Sequence, residues 1–254
     1  MQQGYTLPEL LIGMTLGLLV IAAATAAYGT SKQTWNAMAA ADAVHANARM
    51  ALRNIREQAH MAGATYLQAS SRNASQNGIT STIDFSVVLS PSEDVGQAAL
   101  AGVNGTKYVE SLCLGHWHAL DAVDCQGNTS STYTSVRNNY KFNVNQELTC
   151  KDTSPPSSTY QALAEGVEDL QLRYAQANPN AHTIQWKTAS QVTDMSQVLA
   201  IEVCLRVASA STVHNRKSNG ELSGCQGEAL PTDGRVRRTF KHVMTLRNRD
   251  GLLP

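Results

Sequence analysis

The fold turns on residues 4–29, GYTLPELLIGMTLGLLVIAAATAAYG. From Leu10 to Tyr28 there are 19 residues without a formal charge. As a helix they would run roughly 28 Å, close to the ~30 Å hydrocarbon core of a bilayer. Pro8 and Glu9 stand at the mouth of this segment, and no Lys or Arg precedes them. Proline inside a helix loses the bond to the carbonyl four residues back, and a carboxylate entering hydrocarbon costs about 2.5–3.5 kcal/mol. A membrane helix is the first reading. A cleavable secretory signal is the second, with an A-x-A site at Ala24-Thr25-Ala26. The uncharged MQQ start, the length of the apolar run and the position of Glu9 all count against the signal peptide.

Working outward, residues 35–62 contain neither proline nor glycine. Apolar residues recur at Val44, Ala48, Leu52, Ile55, Ala59 and Ala62, a helical spacing, while Asp42, Asn47, Arg49, Arg53, Arg56 and Glu57 occupy much of the remaining surface. Gly63 ends the pattern. One long helix is expected, apolar all round in its first half and amphipathic in its second, with Gly29-Thr30-Ser31 as its weak point. Gly13 and Gly17 form a GxxxG, a weak packing signal in a membrane segment.

The stretch GYTLPEL, residues 4–10, resembles the class III prepilin N-terminal signature: a glycine, an aromatic residue, then T-L-x-E-[LM]. That resemblance implies cleavage by prepilin peptidase between Gly4 and Tyr5, N-methylation of Tyr5, and a role for Glu9 in axial register through the N-terminal amine of a neighbouring subunit. It also removes the cost of Pro8, because the Gly4 carbonyl leaves with the leader and the first amides of a helix have no internal partner anyway. Tyr5 replaces the usual Phe, and the leader lacks its usual basic residue. Further blocks resemble the PilW family of minor pilins: residues 31–64, 163–174, 192–209 and 233–249. The implied architecture is α+β, a type IV pilin-like fold with leader 1–4, helix 5–62 (transmembrane about 10–28, amphipathic about 31–62) and a periplasmic, mainly antiparallel β domain over 63–254. The implied function is a non-enzymatic minor pilin that primes pilus assembly at the tip. Its partners would be other minor pilins and the major pilin, prepilin peptidase, the inner-membrane assembly platform and membrane lipid before assembly. It would be a single-pass inner-membrane protein that later joins the pilus. The nearest rival is a J-type pseudopilin of type II secretion; a secreted enzyme or binding protein is a more distant one.

The bulk composition suits an exported protein rich in strands and loops better than a cytosolic helical enzyme. Twenty Lys and Arg balance twenty Asp and Glu, so net charge calls for no nucleic-acid partner. All five cysteines lie after residue 110, none in a CxxC pair or a zinc spacing. Outside the cytoplasm disulfides are the default, and Cys125 with Cys150 and Cys204 with Cys225 each enclose a loop flanked by strand-like text. Cys113 is then a buried odd thiol, although Cys113 with Cys125 remains an alternative. Strands are expected at 82–89, 107–114, 140–143, 170–174, 198–207 and 235–246. Residues 162–169 read as a turn or edge segment, and 154–158 and 178–180 as loops. No internal repeat stands out.

Three constellations invite a chemical reading. Cys113, His116 and His118 lack the further ligands a metal needs. Glu165, Glu168 and Asp169 lack a partner to complete an acid–base site and read as exposed charges. RVRRTFKHVMTLRNR is basic, but Val236, Phe240, Met244 and Leu246 alternate as in a half-buried strand, placing Arg235, Arg237 and Lys241 on the solvent face. No metal, cofactor or catalytic site is expected.

Overall fold

A computed structural model describes residues 7–62, 111–117, 123–129, 135–153, 158–178, 180–193, 195–213 and 223–248. The strand expected at 82–89 and the loop over 154–157 lie outside these residues, as do His118, Gly4 and Tyr5.

Helix α1 runs unbroken over Leu7–Met61. At 1.5 Å per residue, its 55 residues span roughly 80 Å. The expected weak point at Gly29 does not interrupt it, since the run on either side is rich in alanine, the strongest helix former. Thr30 and Thr34 also stay within it, their hydroxyls donating to the carbonyls of Ala27 and Thr30.

Only the second half of α1 is packed. Val44, Ala48, Ala51, Ile55 and Ala59 are buried, and small alanines let the sheet approach the helix closely. The helix lies along two strands, β7 (Val198–Thr212) and β8 (Arg235–Thr245), and reaches β4 (Gln161–Glu165). Strand β7 explains why. Ile201, Val203, Leu205 and Val207 alternate onto the core face, whereas Glu202, Cys204 and Arg206 point the other way.

The antiparallel β domain consists of two four-stranded sheets. The first is a meander of β1 (Ser111–Trp117), β2 (Ser135–Phe142), β3 (Glu147–Asp152) and β4. The second has the order β6-β5-β7-β8, with β5 at Val167–Asn178 and β6 at Thr183–Lys187. The sequence patterns missed β3 and β6. In β3 the alternation is obscured by polar Thr149 and by Cys150, both buried; β6 is an edge strand with four of its five residues exposed.

Residues 161–169 resolve into an edge strand, one glycine and the start of the central strand β5. Gly166 alone carries the chain from one sheet to the other, at φ +76°. Its amide neighbourhood is tight: the Ala208 amide donates to the Gly166 carbonyl at 2.8 Å, and a Cβ on Gly166 would stand 2.2 Å from the Ala208 oxygen. Gly166→Ala therefore meets both a left-handed backbone and an immovable carbonyl, and should destabilise the fold by about 3 kcal/mol or more. Thermal unfolding of the full chain in detergent checks this, and an unchanged midpoint would remove the account.

Candidate functional site

The first half of α1 has a surface suited to lipid or to other helices. Leu10, Leu11, Ile12, Leu16, Leu18, Leu19, Val20 and Ile21 are each more than half exposed. The hydroxyls in this span are satisfied internally: Thr15 donates to the Ile12 carbonyl at 3.0 Å and Thr25 to that of Ala22 at 2.9 Å. A Cβ on Gly13 or Gly17 would meet nothing within 4 Å, so that face is open. Pro8 occupies the second helical position and Glu9 the first turn. A proline there breaks no helical bond, and a carboxylate there faces the positive end of the helix dipole.

The second half is bound to the β domain by a polar line as well as by its apolar face. Asn47, Asn54 and Gln58 follow one another at seven and four residues, on one stripe. Asn47 donates to the Glu165 carbonyl at 3.0 Å, Asn54 to that of Cys125 at 3.1 Å and Gln58 to that of Val123 at 3.1 Å. In return the Tyr140 hydroxyl donates to Asn54 Oδ1 and the Asn138 amide to Gln58 Oε1, both at 2.7 Å. Asn47 was read as surface; it is half-buried at the sheet crossover. Burial raises the Tyr140 hydroxyl's pKa well above the ordinary tyrosine value, so it stays a donor at any physiological pH.

Two cystines complete the scaffold. Cys125 is bonded to Cys150 on β3, with Cα atoms 6.3 Å apart, and Cys204 on β7 to Cys225, at 5.8 Å. Cys113 is buried on β1 outside both bonds. It pairs with Asn139, whereas Cys150 pairs with Tyr140 on the adjoining register position, so Cys113 and Cys150 project from opposite faces of the sheet. Both cystines end in the same small turn, Cys-Gln-Gly at 125–127 and again at 225–227. Each turn is closed by an isolated bridge, Val123 to Thr129 and Ser223 to Ala229, with its glycine at φ +89° or +86°. This short repeat was present in the text but is too brief to register as periodicity. It pins one turn to each sheet.

The charged residues at the crossover differ most from expectation. Arg237 and Glu168 are buried, and so is Asp169, although the sequence pattern placed them in solvent. The reason is pairing. Arg237 grips Glu168 through Nε and Nη2 at 2.7 and 2.9 Å and Asp233 through Nη1 and the same Nη2 at 2.5 and 2.7 Å. Arg235 reaches Glu168 at 3.1 Å, and Arg206 reaches it at 3.5 Å while binding Glu228 of the second Cys-Gln-Gly turn at 2.5 Å. Three guanidiniums thus face three carboxylates, a balance that permits burial. Hydrogen bonds from Arg237 hold the Asp233 carboxyl far below the usual carboxylate range, while burial pushes that of Asp169 upward. A β-bulge between Val167 and Asp169 turns Glu168 toward the arginines, a displacement no period-two pattern reveals. Only Lys241, with Glu165, is exposed as expected.

Cys113 and His116 lie at odd and even positions of one strand and do not share a face, and no cluster of three metal-ligating side chains occurs among the described residues.

An apolar half-helix that continues as the packed spine of an antiparallel β domain defines the type IV pilin-like class. The family models agree. The prokaryotic N-terminal methylation motif matches residues 1–25, and type IV pilus-assembly protein W, PilW, matches residues 132–248. These two matches support a membrane-anchored type IV pilus minor pilin of the PilW kind with a class III prepilin signature. Among solved structures, the type IV-like pilin TTHA1219 from Thermus thermophilus is similar at 15% identity, with a TM-score of 0.38, covering 55% of this chain and 77% of that one. No curated protein matches.

Proposed function

We propose that the protein primes pilus assembly together with other minor pilins, and that its action is structural, not enzymatic. The observation that carries this reading is the division of α1 into an uncovered apolar half and a half locked to the β domain. Such a subunit can wait in a bilayer and then transfer the same surface to a bundle of neighbouring helices, because lipid and helix packing both satisfy it. Prepilin peptidase would cut between Gly4 and Tyr5 and methylate Tyr5. Glu9 would then meet the amine of a neighbouring Tyr5, fixing how far one subunit advances past the next. The β domain lies in the periplasm, where its two cystines form, and selects partners among the other minor pilins, the major pilin and the inner-membrane platform.

Deletion of the gene separates this reading from a pseudopilin of type II secretion. Loss of surface pili and twitching, with exoprotein release unchanged, is the expected result. Defective release with normal piliation would assign the protein to the secretion machine instead.

A further inference from the structure

Between Glu9 and Asp42 the sequence holds one charged residue, Lys32. It sits four residues after Tyr28 and three before Trp35, so the three side chains fall along one side of the helix over two turns. Tyr28 is 70% and Trp35 73% exposed, and neither joins the core of the β domain. Position along the axis is equally specific. Leu10 to Tyr28 matches the hydrocarbon thickness, and Glu9 to Trp35 spans about 39 Å, near the ~40–45 Å of a bilayer with its headgroups. Tyr28 then lies at the edge of the hydrocarbon, Lys32 among the phosphates and Trp35 in the outer headgroup layer. Ala37, the first helix residue packed against the β domain, follows only two positions later. The helix passes Gly29 without a break, so no hinge separates lipid from protein.

We propose that Tyr28, Lys32 and Trp35 form a headgroup-binding band that seats the β domain directly on the bilayer surface before assembly. This inference rests on the membrane-anchored reading. The aromatic rings prefer the interface, where one edge is apolar and the other wet, and the Lys32 ammonium binds lipid phosphodiesters. The rigid helix converts that depth into a fixed standoff for the domain. Every subunit therefore presents its partner-selecting surface at one height above the membrane.

The test uses the full chain in vesicles of phosphatidylethanolamine and phosphatidylglycerol, with flotation as the measure of anchoring. The difference in emission between the native chain and Trp35→Phe isolates indole 35. Lipids brominated near the headgroup end should quench it about twofold more than lipids brominated at the chain end, and aqueous iodide should reach it poorly. Lys32→Gln should raise access of the uncharged quencher acrylamide about fivefold, the effect of removing one favourable charge at an anionic surface. A chain that floats while indole 35 is quenched by iodide as fully as free N-acetyltryptophanamide overturns the band and leaves anchoring intact. A chain that does not float overturns both. Unchanged acrylamide access in Lys32→Gln overturns the role given to Lys32.

Discussion

Glu9→Ala is expected to leave the protein anchored in the membrane but to reduce surface pili by about tenfold or more, since an unmatched amine in an apolar bundle costs several kcal/mol. The effect follows from position. Glu9 is the one acidic side chain ahead of the apolar run, in the first turn of a helix whose next 19 residues carry no charge. Removing it deletes the charge that would meet the Tyr5 amine of a neighbour, while the apolar surface that holds the protein in lipid is untouched. Two measurements check this: pilus counts by electron microscopy, and the intact mass of the mature chain. A mass that begins at methylated Tyr5 in both native and variant protein shows that processing was not the step lost. Normal pilus numbers in Glu9→Ala would remove the register role.

Glu168→Ala should be the most destabilising change in the β domain. It leaves Arg237, whose side chain is 4% exposed, without the carboxylate that grips it from within, and takes a shared partner from Arg235 and Arg206. Breaking one side of a buried ion pair costs about 3–5 kcal/mol, whereas replacing both sides with apolar groups can be nearly neutral. The midpoint of thermal unfolding should therefore drop by roughly 10 °C in Glu168→Ala. Glu168→Leu combined with Arg237→Met should recover much of that loss. Equal midpoints for the single and double variants would show that the network is not what the alanine disrupts. Acid adds an independent readout. The Asp233 carboxyl is held below its unfolded value by Arg237, so its contribution is complete above about pH 4 and is lost as pH falls further toward its folded value. Asp233→Asn should lower stability most at neutral pH, where that contribution is complete, and flatten the acid part of the profile, so that variant and native chain converge as pH falls.

Much of the helix was legible because its signals are local. A charge-free run of membrane length and an apolar spacing of three and four need no knowledge of what lies across the fold, and the same holds for the alternation in β7. The pairs of cysteines flanking strand-like text also agree with the bonds formed, with Cys113 outside them. The line of Asn47, Asn54 and Gln58 was visible as letters but not as a docking seam. Its partners are backbone carbonyls far along the chain, and carbonyls have no sequence signature.

The sequence by itself determined the two-part helix, the prepilin signature with Glu9 behind it, and a β-rich domain carrying cysteines. These follow from hydrophobicity and spacing within a few turns of chain. Only the tertiary structure decided that the domain is two sheets joined at Gly166 and that Glu168, Arg237 and Asp169 are buried. A charged side chain can leave water only when its counter-charges arrive together. Here they arrive from β5, β7, β8 and the turns at 223–229 and 231–234, brought together by a bulge and a one-residue crossover that no periodicity encodes.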